Sequence, residues 1–130
     1  MPVLDTVVLF AALSAADPRH EKAVYYMSKL HEEQYFISAV ALLEFDLVLK
    51  SRGFSYDQCM EIFALLAADY PYAKVTQLSP TTLFLAAHIE DRYGLDYFDA
   101  CVAAEALLLD RIIVSTDPAF DEIEGLKRIW

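Results

Sequence analysis

The feature that most restricts the fold of this chain is the alternation of short apolar segments with stretches long enough for whole helices. The short segments predict five strands, at residues 2–4, 35–37, 73–77, 111–114 and 126–129. The longer segments predict helices at residues 6–15, 18–31, 39–50, 56–69, 80–93 and 97–109, with a shorter helix from residue 118. Strands separated by whole helices require crossover connections, which produce a parallel sheet covered on both faces. The sequence therefore predicts one three-layer α/β/α domain over residues 1–130.

Side chains that accept hydrogen bonds from the first backbone amides of a helix mark the predicted helix starts. The predicted caps are Ser38, the Ser55–Gln58 capping box, Ser79 before Pro80, Asp96, and Asp17 before Pro18. Gly53 and Gly94 follow the predicted ends of two helices, where the left-handed conformation favoured by glycine stops the helix.

Charge and composition exclude several classes of protein. The chain carries 20 acidic and 10 basic side chains, which give a net charge of -10 at pH 7 and argue against nucleic-acid binding through a global positive field. The longest apolar run, residues 7–16, is too short for a membrane helix, and no Lys or Arg precedes Arg19 as a secretory signal requires. Cys59 and Cys101 are expected to be buried free thiols, which agrees with a cytoplasmic protein.

Acidic residues occur where an open parallel sheet binds its ligands, beyond the carboxyl ends of the strands. Asp5 ends the first strand, Asp117 follows the fourth, and Asp99 opens an apolar helix. Each of these three can also be a helix cap or an acid that complements the helix dipole. Glu44 lies in the apolar stripe of its helix, where a carboxylate must be paired, bind a cation or extend its head to water.

Taken together, the four acids predict a cluster of oxygen ligands, because their mutual repulsion is unfavourable without a cation. Oxygen ligands without imidazole or thiolate favour Mg²⁺ or Mn²⁺ over Zn²⁺. Other chemistries lack their motifs, since the three histidines have no zinc-like spacing and no GxSxG, GxGxxG or Walker A sequence occurs. The acidic pair of receiver domains and the Asp-x-Asp of dehalogenase-like phosphatases are also missing.

Four parts of the chain carry a family resemblance through their order and spacing. They are Val3-Leu4-Asp5-Thr6, Glu44 in the third helix, Leu95-Asp96-Tyr97-Phe98-Asp99-Ala100, and Ile113-Val114-Ser115-Thr116-Asp117-Pro118-Ala119-Phe120. They resemble the PIN-domain family over essentially the whole chain, and the length is similar to that of VapC-type toxins of toxin–antitoxin pairs. The resemblance implies a five-stranded parallel sheet in the order 3-2-1-4-5 and a metal-dependent ribonuclease.

The resemblance also implies a set of site residues. One or two Mg²⁺ or Mn²⁺ ions would be held by Asp5, Glu44, Asp99 and Asp117, with Ser115 and Thr6 as supporting hydroxyls. One departure concerns Val7, which stands where the family often has Asn or Ser and so removes a polar group beside the site.

The implied function is hydrolysis of RNA phosphodiester bonds by a metal-activated water, in a toxin whose protein partner is an antitoxin. The alternative is a catalytically weak or inactive PIN-like module that binds protein or RNA. The helices at residues 6–15 and 39–66 carry more apolar side chains than one sheet face needs, which indicates a homodimer or antitoxin surface, or simply a rich core. RNA is expected to contact a local basic patch of Arg19, Lys22, Lys50 and Arg52.

Overall fold

The computed structural model describes residues 1–130 as one sheet with helices packed on both of its faces. The strands are β1 (Val3–Leu4), β2 (Phe36–Ile37), β3 (Lys74–Val75), β4 (Ile112–Val114) and β5 (Lys127–Ile129). The helices are α1 (Thr6–Leu13), α2 (His20–Ser28), α3 (Ala39–Ser51), α4 (Tyr56–Asp69), α5 (Pro80–Tyr93) and α6 (Tyr97–Leu107), and a 3-10 helix spans Pro118–Glu122.

The sheet has the strand order β3-β2-β1-β4-β5, and every neighbouring pair of strands is parallel. Val3 of β1 aligns with Phe36 of β2 on one side and with Ile113 of β4 on the other, which places β1 at the centre. The predicted fold class and strand order are therefore confirmed. Since all strands run in the same direction, the residues that follow them lie along one edge of the sheet.

Most of the predicted helix starts are observed. The side chains of Ser38, Ser79 and Asp96 each accept a hydrogen bond from a backbone amide in the first turn of their helix, and Ser55 forms its capping box with Gln58. These short polar side chains satisfy amides that have no partner within the helix.

The predicted cap at Asp17 is wrong, because α2 begins only at His20. The carboxylate of Asp17 accepts hydrogen bonds from both the backbone amide and the guanidinium of Arg19, so it closes a turn ahead of the helix. Arg19 occupies the capping position and makes no side-chain capping bond there.

Three helices end earlier than predicted, and one of them is α2, which stops at Ser28. Helix α1 stops at Leu13 because Ser14 has an extended backbone, and α6 stops at Leu107. Beyond α6 the chain turns through Arg111, which has a φ of 63° and whose amide donates to the carbonyl of Ala106. Turns of this kind depend on tertiary contacts, which the apolar pattern of a helix does not encode.

The core lies in two layers, one on each face of the sheet. Val3 packs into the layer that contains most of α6, whereas its neighbour Leu4 packs into the layer with α1 and α2. This alternation follows from the two-residue period of a strand. Both cysteines are buried free thiols, as predicted, and no helix has the length and apolar character needed to cross a membrane.

Helix α6 is buried along almost its whole length, from Ala100 to Ala106. Its alanines let the helix lie close to α5, α3 and the central strands. The same helix carries two acidic residues that need polar surroundings, Asp99 in its first turn and Glu105 near its end. Helix α6 therefore carries one buried carboxylate, Glu105, and one half-buried carboxylate, Asp99.

Candidate active site

Buried polar side chains follow four of the five strands at the carboxyl edge of the sheet. Along the sheet they are Thr76 after β3, Ser38 after β2, Asp5 after β1 and Ser115 after β4. Buried polar groups require hydrogen-bond partners. These four side chains form a polar row along the edge, and its two halves bond to different carboxylates. Ser115 donates to Asp5, whereas Ser38 and Thr76 donate to Glu105 of α6.

Asp5 occupies the centre of this edge and is only 5% exposed. Its Oδ1 accepts a hydrogen bond from the amide of Thr6 at 2.7 Å, and its Oδ2 accepts one from Ser115 Oγ at 2.7 Å. Burial raises the pKa of Asp5 to about 6, and the nearby charges of Glu44 and Asp117 act in the same direction against those hydrogen bonds. Asp5 is thus both the cap of α1, as one explanation of the sequence proposed, and a member of an acidic cluster.

Glu44 reaches this cluster from the second turn of α3. Its Oε1 accepts a hydrogen bond from Thr6 Oγ1 at 2.5 Å, which turns the half-buried carboxylate toward the start of α1. Asp46 and Lys50 form an ion pair on the exposed side of the same helix, with 2.7 Å between Oδ2 and Nζ. Glu44 is half-buried and lies on a different side of α3 from this ion pair.

Asp99 reaches the cluster from the first turn of α6. Burial raises the pKa of Asp99 to about 8, and the nearby carboxylates of Asp96, Asp5 and Glu44 add to this increase. The backbone amide of Asp99 also donates to Asp96 Oδ1 at 2.9 Å, as a helix-capping bond. Asp96 is therefore both the cap of α6 and a fifth carboxylate near the site. The sequence predicted only its capping role, since a cap and a neighbour of the cluster look the same in sequence.

Asp117 stands on the loop after β4, and Ser115 ties this loop to Asp5. Ser115 Oγ accepts a hydrogen bond from the amide of Asp117 at 3.1 Å while it donates to Asp5. Asp117 Oδ1 accepts from the amide of Ala119 at 2.9 Å and so caps the 3-10 helix. Asp117 consequently has the capping role that the sequence offered as one explanation, and its charge also acts on Asp5.

Arg128 of β5 supports this loop from the far side, and no motif in the sequence selects it. Its Nη1 donates to the carbonyl oxygen of Ser115 at 3.1 Å. Its guanidinium also forms a bidentate pair with Asp121, at 3.0 Å from Nε and 2.9 Å from Nη2. The only sequence signal was a pair of adjacent basic residues, Lys127 and Arg128, in the terminal strand, which an exposed edge strand would show as well.

The structure thus brings Glu44, Asp99 and Asp117 within electrostatic range of Asp5, and Glu44 within range of Asp99. No group of three or more His, Cys, Asp or Glu side chains is arranged so that it could hold a metal ion. The chemistry of the donor set nevertheless fits a hard divalent cation, because all four donors are carboxylates and no imidazole or thiolate stands among them. Burial and the neighbouring acids raise the pKa values of Asp5 and Asp99, so a nearby positive charge would favour the ionised form of both groups.

A groove of about 700 Å³ runs beside the acidic cluster. Its lining includes Thr6 and Glu44 from the cluster and two residues of the predicted basic patch, Arg19 and Arg52. The guanidinium of Arg52 lies 4.6 Å from the ring centroid of Phe10, which also lines the groove.

The four members of the predicted basic patch are not equivalent. Arg19 pairs with Asp17, and Lys50 pairs with Asp46, so both charges are locally neutralised. Arg52 and Lys22 form no ion pair, and only Arg52 of these two lines the groove. Arg52 is therefore the cation of the patch that is available beside the acids.

Comparisons with known proteins agree with this fold. A sequence model of the PIN domain matches residues 3–126, while a comparison with curated proteins gave no match. Among solved structures, the chain is similar to DNA-bound VapBC from Salmonella typhimurium, with a TM-score of 0.72, 18% identity and coverage of 99% of this chain and 98% of that chain.

Two further solved structures show the same similarity. VapBC2 from Rickettsia felis, bound to a promoter DNA fragment, gives a TM-score of 0.71 at 15% identity, covering 98% of this chain and 96% of that chain. VapBC-1 from nontypeable Haemophilus influenzae gives a TM-score of 0.71 at 17% identity, covering 98% and 95%. Identities this low establish a shared fold, and the family follows from the sequence match over nearly the whole chain. The chain belongs to the PIN-domain family.

Proposed function

We propose that this chain is a metal-dependent ribonuclease and the toxin of a toxin–antitoxin pair. PIN domains are generally nucleases, and the similar folds come from VapBC toxin–antitoxin structures. The observation that carries the proposal is the buried Asp5, whose carboxylate has a pKa of about 6 among three other acids at the ligand-binding edge of the sheet. Such an arrangement destabilises the fold unless a bound cation compensates it, so it is better explained by function than by stability.

The proposed ions are Mg²⁺ or Mn²⁺, with Asp5 and Asp99 as direct ligands. Glu44 is a ligand or orients the attacking water, and Asp117 is a weaker ligand or belongs to a second ion. When bound, the ion supplies positive charge at the scissile phosphate and lowers the pKa of adjacent water. The chain itself supplies the orientation, because the hydroxyl of Thr6 holds Glu44.

The proposed RNA path follows the groove that contains Arg52. A guanidinium can bind a phosphate oxygen through two hydrogen bonds, and its stacking on Phe10 restricts its motion before RNA arrives. Because Arg19 and Lys50 already pair with carboxylates, they contribute less to RNA binding than Arg52 does. With a net charge of -10, the protein is expected to bind RNA weakly and with strong dependence on salt.

The proposed partners are an antitoxin protein and a second copy of the chain. Large apolar side chains of α1, α3 and α4 remain exposed, namely Leu13, Leu43, Leu47, Met60 and Leu65. An apolar groove of about 230 Å³ between α1, α2 and α4 opens among them, with Leu9, Leu13 and Leu65 in its lining. Exposed apolar surface of this kind is typical of a protein–protein contact, and the acidic charge of the chain favours a basic partner.

Cleavage of mixed RNA with Mn²⁺ and with EDTA tests the catalytic part of the proposal. We expect cleavage only with Mn²⁺, and loss of cleavage in Asp5→Asn and Asp99→Asn. Asp91→Asn is the matched control, since Asp91 is an exposed acid of α5 without an ion pair. Full activity of Asp5→Asn would rule out the proposed site.

The binding-module alternative is separated from the enzyme by metal titration. An intact site binds Mn²⁺ in the folded state only, so Mn²⁺ should raise the melting temperature of the natural protein and leave that of Asp5→Asn unchanged. Absence of both RNA cleavage and Mn²⁺ stabilisation would favour the binding module over the enzyme. The antitoxin part is tested separately, by co-purification with a small basic protein encoded next to this chain.

A further inference from the structure

Glu105 is a buried carboxylate that has no part in the proposed metal site. It is 2% exposed and lies on α6, six residues after Asp99. Burial raises the pKa of Glu105, while hydrogen bonds from Ser38 and two backbone amides lower it. Burial of a carboxylate in an alanine-rich helix is unfavourable unless its oxygen atoms accept hydrogen bonds. The presence of Glu105 at this position therefore calls for a structural explanation.

The contacts of Glu105 all lead to the other half of the polar row and to the start of α3. Its Oε1 accepts from Ser38 Oγ at 2.7 Å and from the amide of Val40 at 3.4 Å. Its Oε2 accepts from the amide of Ala39 at 3.3 Å and from the hydroxyl of Thr76. One carboxylate therefore joins α6 to the end of β2, the end of β3 and the first turn of α3.

Helix α3 also has a local cap. Ser38 already caps the helix, since its Oγ accepts from the amide of Ala41 at 2.9 Å. Glu105 instead accepts from the amide of Val40 at 3.4 Å and from the amide of Ala39 at 3.3 Å. The shorter hydrogen bond of the Ala39 amide, 2.7 Å, goes to Thr76 Oγ1, whose hydroxyl in turn donates to Glu105. What it adds is a fixed connection between α3 and α6, with the positive end of the α3 dipole favouring the carboxylate.

This connection matters for the acidic cluster, because α3 carries Glu44 and α6 carries Asp99. Glu44 lies five residues after Ala39. Because a helix is rigid over this short distance, fixing the first turn of α3 also fixes the position of Glu44. We propose that Glu105 is a positioning residue that anchors the start of α3 to α6 and thereby places Glu44 opposite Asp5 and Asp99. The inference rests on the proposed function for its effect on catalysis, but its effect on α3 can be measured without any activity.

Glu105→Gln is the informative variant, because it keeps the size of the side chain and one acceptor oxygen while it replaces the other oxygen by a donor. That donor would face amide and hydroxyl donors, so about half of the contacts are lost. Ser55→Ala is the control for general destabilisation. It removes the capping box of α4, and Ser55 has no contact with α6.

Two measurements decide the inference. Amide hydrogen exchange by NMR should be about tenfold faster at Ala39 and Val40 in Glu105→Gln than in the natural protein, with no such change in Ser55→Ala. The Mn²⁺ concentration for half-maximal RNA cleavage should rise about tenfold in Glu105→Gln and stay unchanged in Ser55→Ala. Unchanged exchange at these amides, or an unchanged Mn²⁺ requirement in an active enzyme, would overturn the inference.

Failure of the proposed function has a different signature. If the natural protein does not cleave RNA with Mn²⁺, the ribonuclease proposal fails, and the exchange of the Ala39 and Val40 amides alone decides whether Glu105 anchors α3. If the natural protein cleaves RNA and Glu105→Gln matches it at every Mn²⁺ concentration, the ribonuclease proposal stands and the positioning role is refuted.

Discussion

Replacing Asp5 by Asn should make the metal-free protein more stable at pH 8 while it abolishes RNA cleavage. The pKa of Asp5 is about 6 in the folded protein, compared with 3.8 for an unperturbed group, so the folded state disfavours the charged carboxylate. That difference corresponds to about 3 kcal/mol. The side-chain amide introduced by Asp5→Asn can accept from the amide of Thr6 and donate to the hydroxyl of Ser115, so the variant keeps both contacts without the charge.

The sign of the pH dependence follows from the order in which the two states lose the proton. Between about pH 4 and pH 6 the unfolded chain is already ionised at Asp5, whereas the folded chain still holds the proton. The stability contributed by this group therefore falls as the pH rises through that window and stays low above it. Since Asn does not titrate, the advantage of Asp5→Asn should be near zero at pH 4 and reach about 3 kcal/mol above pH 6.

Urea unfolding in EDTA at several pH values measures this difference directly. For a chain of this length, about 3 kcal/mol corresponds to a rise of about 10 °C in the melting temperature. Saturating Mn²⁺ should reduce the difference, because the cation stabilises only the protein that keeps the carboxylate. The exposed variant Asp91→Asn should show no pH-dependent advantage. The reasoning is refuted if Asp5→Asn has the same stability as the natural protein at pH 8 in EDTA, or a lower one.

Three further predictions test other parts of the structure. Thr6→Val removes the hydroxyl that holds Glu44, so kcat should fall about tenfold with little change in melting temperature, and an unchanged kcat contradicts the orienting role. Arg52→Ala should raise KM for RNA and reduce its salt dependence, whereas Lys50→Ala should change neither; equal effects of the two would contradict the assigned RNA path. Phe45→Ala empties a core position that is 1% exposed, so urea unfolding should show a loss of about 3–5 kcal/mol, and a loss below about 1 kcal/mol would contradict tight packing there.

The fold could be predicted because its main determinants are local. Apolar segments separated by helices require parallel strands, and short polar side chains such as Ser38 and Ser79 satisfy the first amides of the helices that follow. The prediction failed where a local signal had a competing partner. Asp17 precedes a proline as a cap would. Its carboxylate instead accepts hydrogen bonds from Arg19, and α2 begins only at His20.

The candidate site was predictable to a different extent. Asp5 and Asp117 could be found because strand ends in a parallel sheet meet at one edge, and Glu44 because an acid in an apolar stripe requires an explanation. Arg128 could not be found, because its role depends on the carbonyl of Ser115, thirteen residues away and just after the neighbouring strand β4. A side chain that serves a backbone group elsewhere leaves no pattern in its own segment.

Glu105 belongs to no sequence motif, but its burial could have identified it as a residue with a specific role. It lies six residues after Asp99, which at 100° per residue places the two acids on different sides of α6. Because Glu105 is buried, it must meet polar partners inside the fold, and the half-buried Asp99 on another side of the helix cannot share them. Asp99 meets the acidic half of the polar row, and Glu105 meets the hydroxyls and amides of the other half. Helix α6 therefore sets the distance between the two halves, and a change that shifts this helix should alter the acidic cluster even where no acid is replaced.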